Sequence, residues 1–396
     1  MGTGRVAANM AGSVGVVTHA QGDEPPTVSI AITISCDSLR TGLGAQQPVI
    51  PSHRRLAFSA LVLALTLSSA ELASRLIWSE TDLVMNPVLW GFRDHPTLLW
   101  MYRKNTDITC EGCPPIRTNS LGLRGPEIAP TPAPGTVRIL SLGESTTFGA
   151  FVAEEETYTA ILEDRLTARL AQHPVPGVTD IETINAGVEA WSIWQSRMWL
   201  EETGIGLQPD FVVIYHQLND TLPTGVRDRT NFLYQVRDTD RVQLLRRRRL
   251  APLYHVLLRS RAYLALRYSL LRIPSDLPTL QHAPVEQFGH RVPDDDRRAA
   301  LQDMHRLTTA AGAELVIIKP SYGAAPQLLR DQVLMEFARE HALPLVPMPR
   351  WVRREPAGGA YLYSDGVHPT AEGHRVYADA IAHVFEEQGL LERAGR

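Results

Sequence analysis

The sequence predicts an α/β chain, a three-layer α/β/α sandwich built around a mostly parallel sheet. Two observations predict it. Short runs that are apolar from end to end, such as "FVVIY" at 211–215, have the pattern of strands buried on both faces. Between them lie stretches with apolar residues at helical spacing, the elements that cover a parallel sheet on each side.

The elements follow in order from residue 136 to about 390, after the breaker "PTPAPG" at 130–135. A first strand is expected over 136–142, "TVRILSL", and a helix over 154–171 with Tyr158, Ile161, Leu162 and Leu166 on one face. A strand at 181–185, a helix at 195–203 and the strand 211–215 come next. Later come a helix over 295–311, a strand at 315–318, a helix at 327–341, a strand at 344–346 and a last helix over 371–387. Residues 221–293 form a long insertion with helical character, in which arginines interleave with Leu and Tyr: "LLRRRRLAPLYHVLLRSRAYLALRYSLLR". It reads as a solvated helix pair with a basic outer face; lying on an anionic membrane surface or capping the site are the alternatives.

The N-terminal third is organised differently. Residues 1–53 lack hydrophobic period and read as a disordered extension. Arg54 and Arg55 then precede an apolar run from Leu56 to Ala70, and the segment 54–78 reads as a transmembrane anchor or signal segment. Glu71 and Arg75, at i and i+4, fall near its end, where they can pair. The basic pair on one side, with Glu80 and Asp82 on the other, puts the catalytic part outside the cytoplasm, periplasmic if the anchor stays. Cleavage near Ala70 would instead release the protein. Residues 79–135, aromatic and Pro-rich, are expected to form a pre-domain of loops and short strands.

Composition excludes several classes. With 396 residues, 44% hydrophobic and 21% charged, the chain is neither wholly disordered nor a multi-span membrane protein. A formal net charge of −4 argues against a nucleic-acid binder. The three cysteines, Cys36, Cys110 and Cys113, exclude a disulfide-stapled scaffold. Cys110 and Cys113 sit in a Thr-, Gly- and Pro-rich loop with no second Cys/His pair at finger-like spacing, so a local disulfide is expected rather than a zinc or redox site.

The chemistry concentrates at two places. The first strand runs into "SLGESTTFGAF", which puts Ser145 between Gly143 and a small-residue turn at the carboxyl edge of the sheet, where open α/β sheets bind ligands. The following helix N-terminus would favour a developing oxyanion. Near the other end of the chain, "YSDGVHPTAEGH" puts Asp365 three residues before His368. Within one turn that spacing lets the carboxylate reach Nδ1 and fix the tautomer, leaving Nε2 to take the Ser145 proton.

These segments resemble the SGNH (GDSL-like) hydrolase superfamily over residues 117–388. "LGESTTFG" is similar to its first block, "NAGVEAWS" at 185–192 to its second, "YHQLND" at 215–220 to its third and "DGVHPTAEGH" to its fifth. The resemblance implies a flavodoxin-like sheet, Ser145 as nucleophile, and an oxyanion hole from the Ser145 N–H, the Ala190 N–H and the Asn219 side chain. It implies no metal and no cofactor. Three positions depart from the family pattern. Glu144 stands for the usual Asp, a change expected to preserve charge. Ala190 stands for the second-block glycine, and Gln217 for the third-block glycine. Asn185 is read as structural, and His216 and His374 as core or surface histidines. The implied activity is that of a serine esterase cleaving O-acyl, including O-acetyl, esters of small molecules or glycans. An extracytoplasmic O-acyltransferase using the same three residues is the alternative, and a non-catalytic glycan-binding or scaffold protein the second.

Overall fold

The structure is a computed structural model that describes residues 13–17, 29–33, 52–78, 92–108, 114–149, 151–222, 240–271, 289–323 and 332–394. Cys110 and Cys113, and the expected start of the helix at 327–341, lie outside them. Two compact units divide the chain, residues 1–65 and 66–396.

In the first unit, β1 (Ser13–Val17) and β2 (Ser29–Thr33) pair antiparallel, with Val14 opposite Ile32 and Val16 opposite Ile30. At these ten positions, within the extension expected over 1–53, β-branched residues alternate as strands require. Helix α1 (Ser52–Ile77) then starts in the first unit and runs into the second. Its stretch His53–Ile77 is long and apolar enough to cross a membrane.

The second unit opens with two small antiparallel ribbons, β3 (Phe92–His95) with β4 (Leu99–Tyr102) and β5 (Asp107–Ile108) with β6 (Ile116–Arg117). The main sheet starts with β7 (Thr136–Gly143), followed by the single-turn α2 (Ser145–Phe148) and α3 (Tyr158–Gln172), whose N-cap Thr157 accepts from the Ala160 N–H. Then come β8 (Asp180–Gly187), α4 (Ile193–Glu202), β9 (Phe211–Tyr215) and the one-turn α5 (Leu218–Thr221). The insertion contributes α6 (Asp240–Arg249), α7 (Ala251–Leu257) and α8 (Arg261–Leu271). The chain returns through α9 (Asp294–Ala310), β10 (Glu314–Lys319), α10 (Val333–Glu340), β11 (Leu345–Pro347), α11 (Met348–Val352), α12 (Ala371–Glu387) and α13 (Leu390–Ala394).

The five strands lie in the order β8-β7-β9-β10-β11, all parallel. Numbered by their own sequence this is 2-1-3-4-5, the flavodoxin-like order. Side chains of each strand alternate between two cores. Val137, Ile139, Phe211, Val213, Val316 and Ile318 pack on the side of α3 and α12. Leu140, Leu142, Val212, Ile214, Leu315 and Ile317 pack on the side of α4, α9 and α10. Helices on both faces of a parallel sheet make the expected three layers.

The pre-domain does not stand apart. Leu98, Trp100, Met101, Tyr102, Ile108 and Ile116 belong to the same buried cluster as Leu140 and Trp191. The Trp100 indole N–H donates to the Glu189 carbonyl at 3.1 Å, and the Trp191 indole N–H donates back to the Trp100 carbonyl at 3.2 Å. The two tryptophans cross-link the ribbon to the loop after β8, and Gln195 adds a bond to the Leu98 carbonyl at 2.8 Å. Burying these indoles with both polar tips satisfied fixes that loop against a rigid support.

Candidate active site

The site lies where the strand order reverses. From β7 the chain goes to β8 on one side and later to β9 on the other, which opens a crevice at the carboxyl ends of β7 and β9. Ser145 follows β7 and Asn219 follows β9, so both stand at that crevice. The turn between β7 and α2 is tight enough to require glycine at its start. A Cβ on Gly143 would collide with the Thr147 side chain and meet the Tyr215 carbonyl at 2.8 Å. Ser145 opens the single-turn α2 half-buried, and its N–H is among the first-turn donors that have no acceptor within the helix.

His368 reaches Ser145 from the loop before α12. Its Nε2 lies 2.9 Å from Ser145 Oγ, and its Nδ1 lies 2.7 Å from Asp365 Oδ2. Asp365 holds the loop in shape through its other oxygen, which accepts from the Val367 and His368 N–H groups at 2.9 and 2.8 Å. Partial burial works against the Asp365 charge, but the bonds from the His368 N–H, its imidazole and the Val367 N–H outweigh it. They hold the carboxyl below its ordinary value. Phe151, exposed at the mouth, packs edge-on against the imidazole with centroids 5.1 Å apart.

Ala190 and Asn219 come to the same crevice. Ala190 has φ +61°, a left-handed conformation that glycine adopts freely and alanine at a cost of about 1 kcal/mol. Its neighbours hold it there. Arg291, buried, donates to the Ala190 carbonyl at 2.7 Å and to Gln195 Oε1 at 3.0 Å, while Trp100 holds the Glu189 carbonyl. The Ala190 N–H has no acceptor among the described residues. Asn219 Nδ2 lies 3.3 Å from the Trp191 carbonyl. Gln217, the second departure from glycine, has φ −176°, an extended conformation open to any residue. The buried Lys319 ammonium donates to its Oε1 at 2.8 Å.

Glu144 requires a correction. Its side chain is fully buried and accepts from the Asn219 N–H at 3.0 Å and the Leu218 N–H at 3.3 Å, with Tyr322 Oη at 3.5 Å. Burial, only partly offset by the Asn219 bond, pushes its carboxyl up to about 8. The residue is therefore mostly neutral at pH 7, and what the change from Asp preserves is a hydrogen-bonding carboxyl rather than a charge. The carboxyl ties the residue before Ser145 to the turn that carries Asn219.

The remaining polar residues are structural. Asn185 donates to the Thr147 carbonyl at 2.8 Å and accepts from the Gly187 N–H, bracing α2 from behind. His374 accepts from the Tyr158 N–H at 3.1 Å and His216 pairs with Ser196 Oγ at 2.7 Å. Burial depresses both to about 3, so both are neutral core histidines. Glu144, Arg291 and Lys319 are the positions that motif reading missed. Glu144 was visible only as a substitution, and the other two carry no local signal.

Residues 141–376, more than half of the chain, match the GDSL-like lipase/acylhydrolase family. The chain belongs to that family. It is accordingly an ester hydrolase. No curated protein matches the sequence. Among solved structures, an alpha/beta hydrolase enzyme from the metagenome of Lake Arreo, Spain, is similar at 14% identity and a TM-score of 0.39, covering 63% of this chain and 95% of that one. The lipase/acylhydrolase from Enterococcus faecalis is similar at 15% identity and 0.38, covering 64% and 96%. An acetylxylan esterase from Geobacillus stearothermophilus is similar at 19% identity and 0.37, covering 63% and 93%.

Proposed function

We propose that this GDSL-like acylhydrolase is a membrane-anchored serine esterase that removes short O-acyl groups, O-acetyl above all, from extracytoplasmic glycans or small molecules. The reading is carried by one observation, the continuous hydrogen-bond chain from Asp365 through His368 to Ser145. Ser145 Oγ attacks the ester carbonyl carbon as its proton passes to His368 Nε2, and Asp365 stabilises the imidazolium. The carbonyl oxygen becomes an oxyanion facing the Ser145 N–H, the Ala190 N–H and the Asn219 amide. Collapse expels the alcohol, protonated by His368, and leaves an acyl-Ser145 ester. Water then attacks that ester, giving its proton to His368, and the acid departs with Ser145 restored.

A short acyl group is favoured because Ala190 adds a methyl to the loop assigned to the oxyanion. The anchored topology is favoured by Arg54 and Arg55 ahead of the apolar helix.

A fluorophosphonate probe tests the central claim, since it labels only an activated serine. The full chain is expected to be labelled and Ser145→Ala to be silent; an unlabelled wild-type enzyme refutes the reading. Acetate release from an acetylated substrate without any acceptor separates hydrolysis from acyl transfer.

A further inference from the structure

The arginine-rich insertion keeps the basic outer face that its sequence predicts, with Arg241, Arg246, Arg248, Arg249 and Arg259 exposed, and adds an apolar one. Two of its arginines, Arg247 and Arg267, point inward. Arg247 is buried and donates to the carbonyls of Pro96 and His95, both at 3.2 Å. Arg267 pairs with Asp94 at 2.5 Å, while the exposed Arg248 and Arg241 pair at the surface with Glu201 and Asp296, each at 2.7 Å. These bonds fasten α6 and α8 to the β3–β4 ribbon, to α4 and to α9. A set of apolar residues faces out as well, although Leu244 and Ala265 are buried. Leu250, Leu253 and Val256, each three apart, and Leu266 and Leu270, four apart, are between 43% and 66% exposed. Those spacings put each set on one helix face. Around them Arg246, Arg249 and Arg259 are exposed.

What lies beside this face is the end of the apolar helix. Glu71 of α1 accepts from Ser260 Oγ at 2.7 Å and from the N–H groups of Arg261 and Ala262 at 3.0 and 3.1 Å, so it caps α8 from outside. Arg75 closes the contact, pairing with Glu71 at 2.7 Å and donating to the Arg259 carbonyl at 3.3 Å. The corner between α7 and α8 is thereby fixed at the level where the apolar stretch Leu56–Ala70 ends. The stretch able to span, His53–Ile77, ends six residues beyond Glu71, so the corner meets the helix within about 9 Å of that end. The outward leucines thus belong to helices joined beside the end of the span, and the exposed arginines suit anionic headgroups.

We propose that α7 and α8 lie in the outer interface of the membrane crossed by α1, with Leu253, Val256, Leu266 and Leu270 in the acyl boundary and Arg249 and Arg259 among anionic headgroups. The enzyme would then be seated on the bilayer by a second, interfacial contact, at a fixed height and orientation rather than swinging on a tether. This rests on the anchored reading of α1.

The test uses the full chain in vesicles of phosphatidylcholine alone or mixed with phosphatidylglycerol, each carrying a phospholipid with a photoreactive diazirine in its acyl chain. Cross-linked peptides are mapped by mass spectrometry. Cross-links are expected in 250–271 as well as in 56–70, with none in α12, and those in 250–271 should increase when phosphatidylglycerol is present. A variant with Leu253, Val256, Leu266 and Leu270 all changed to Gln, which alters only exposed positions, should lose about tenfold of the 250–271 labelling and keep that of 56–70. Labelling of 56–70 alone overturns the interfacial contact and leaves the anchor standing. Labelling of 250–271 alone overturns the anchor and not the contact, and labelling of neither overturns both.

Discussion

Replacing Glu144 by glutamine tests whether the carboxyl beside the nucleophile is neutral in the working enzyme. Its ordinary value is 4.5, and in the folded protein burial raises it to about 8. Between those two pH values the native state keeps a proton that the unfolded chain has released. Glu144 therefore contributes its full stability below 4.5, loses it progressively as pH rises, and has lost it once pH passes about 8. At about 1.4 kcal/mol per pH unit the interval amounts to roughly 5 kcal/mol. Glutamine keeps one oxygen to accept from the Leu218 or Asn219 N–H and does not titrate, so the bond it loses is a cost that does not change with pH. The stability advantage of wild type over Glu144→Gln should accordingly shrink by several kcal/mol from acid to mildly alkaline pH. Urea unfolding of both proteins in detergent, followed by tryptophan fluorescence across that range, measures it. Turnover gives a second reading, because an ionised Glu144 one residue from Ser145 opposes the oxyanion. The wild-type rate should fall above about pH 8 while that of the variant holds. A difference in unfolding free energy constant to within about 1 kcal/mol across the range refutes the reasoning.

Other substitutions probe the rest of the crevice. Asn219→Ala should lower kcat by about 100-fold, or roughly 3 kcal/mol of transition-state stabilisation, with little change in KM; a wild-type rate removes Asn219 from the mechanism. Ala190→Gly should relieve the positive-φ strain and raise the ratio of kcat/KM for butyrate over acetate p-nitrophenyl esters by about 10-fold, and an unchanged ratio separates this methyl from acyl selection. Arg291→Met should cost about 2 kcal/mol in thermal unfolding and reduce kcat, because the Ala190 loop loses its charged clamp. In the Ala190→Gly background the same change should cost less, since glycine needs no holding; equal losses in both backgrounds contradict that coupling.

Much of this was written locally in the sequence. Residues 211–215 read as a buried strand because every side chain in "FVVIY" is apolar, and the two cores on its faces account for each of them. Ser145 and the Asp365–His368 pair were legible for the same reason, since a strand end and a three-residue spacing are properties of short segments. What was hidden depends on partners far along the chain. Arg291 lies 101 residues from the carbonyl it holds, and Lys319 lies 102 from Gln217. The state of Glu144 depends on burial supplied by other elements, so a reading of the motif alone assigns it the charge of a solvated carboxylate.

The insertion shows how such blindness can leave a reading incomplete, since its basic face is exposed as expected and its outward apolar face was not foreseen. An arginine at helical spacing carries no information about which face is wet, because a guanidinium is as well satisfied by a carbonyl inside as by water outside. The direction of α6 and α8 is decided by acceptors elsewhere: the His95 and Pro96 carbonyls, Asp94 and Glu201. With Arg267 drawn inward to Asp94, Leu266 and Leu270 of α8 are left facing outward. An outward apolar face is costly in water and costless against lipid, so the same bonds that tie the insertion to the enzyme make it a surface suited to a membrane.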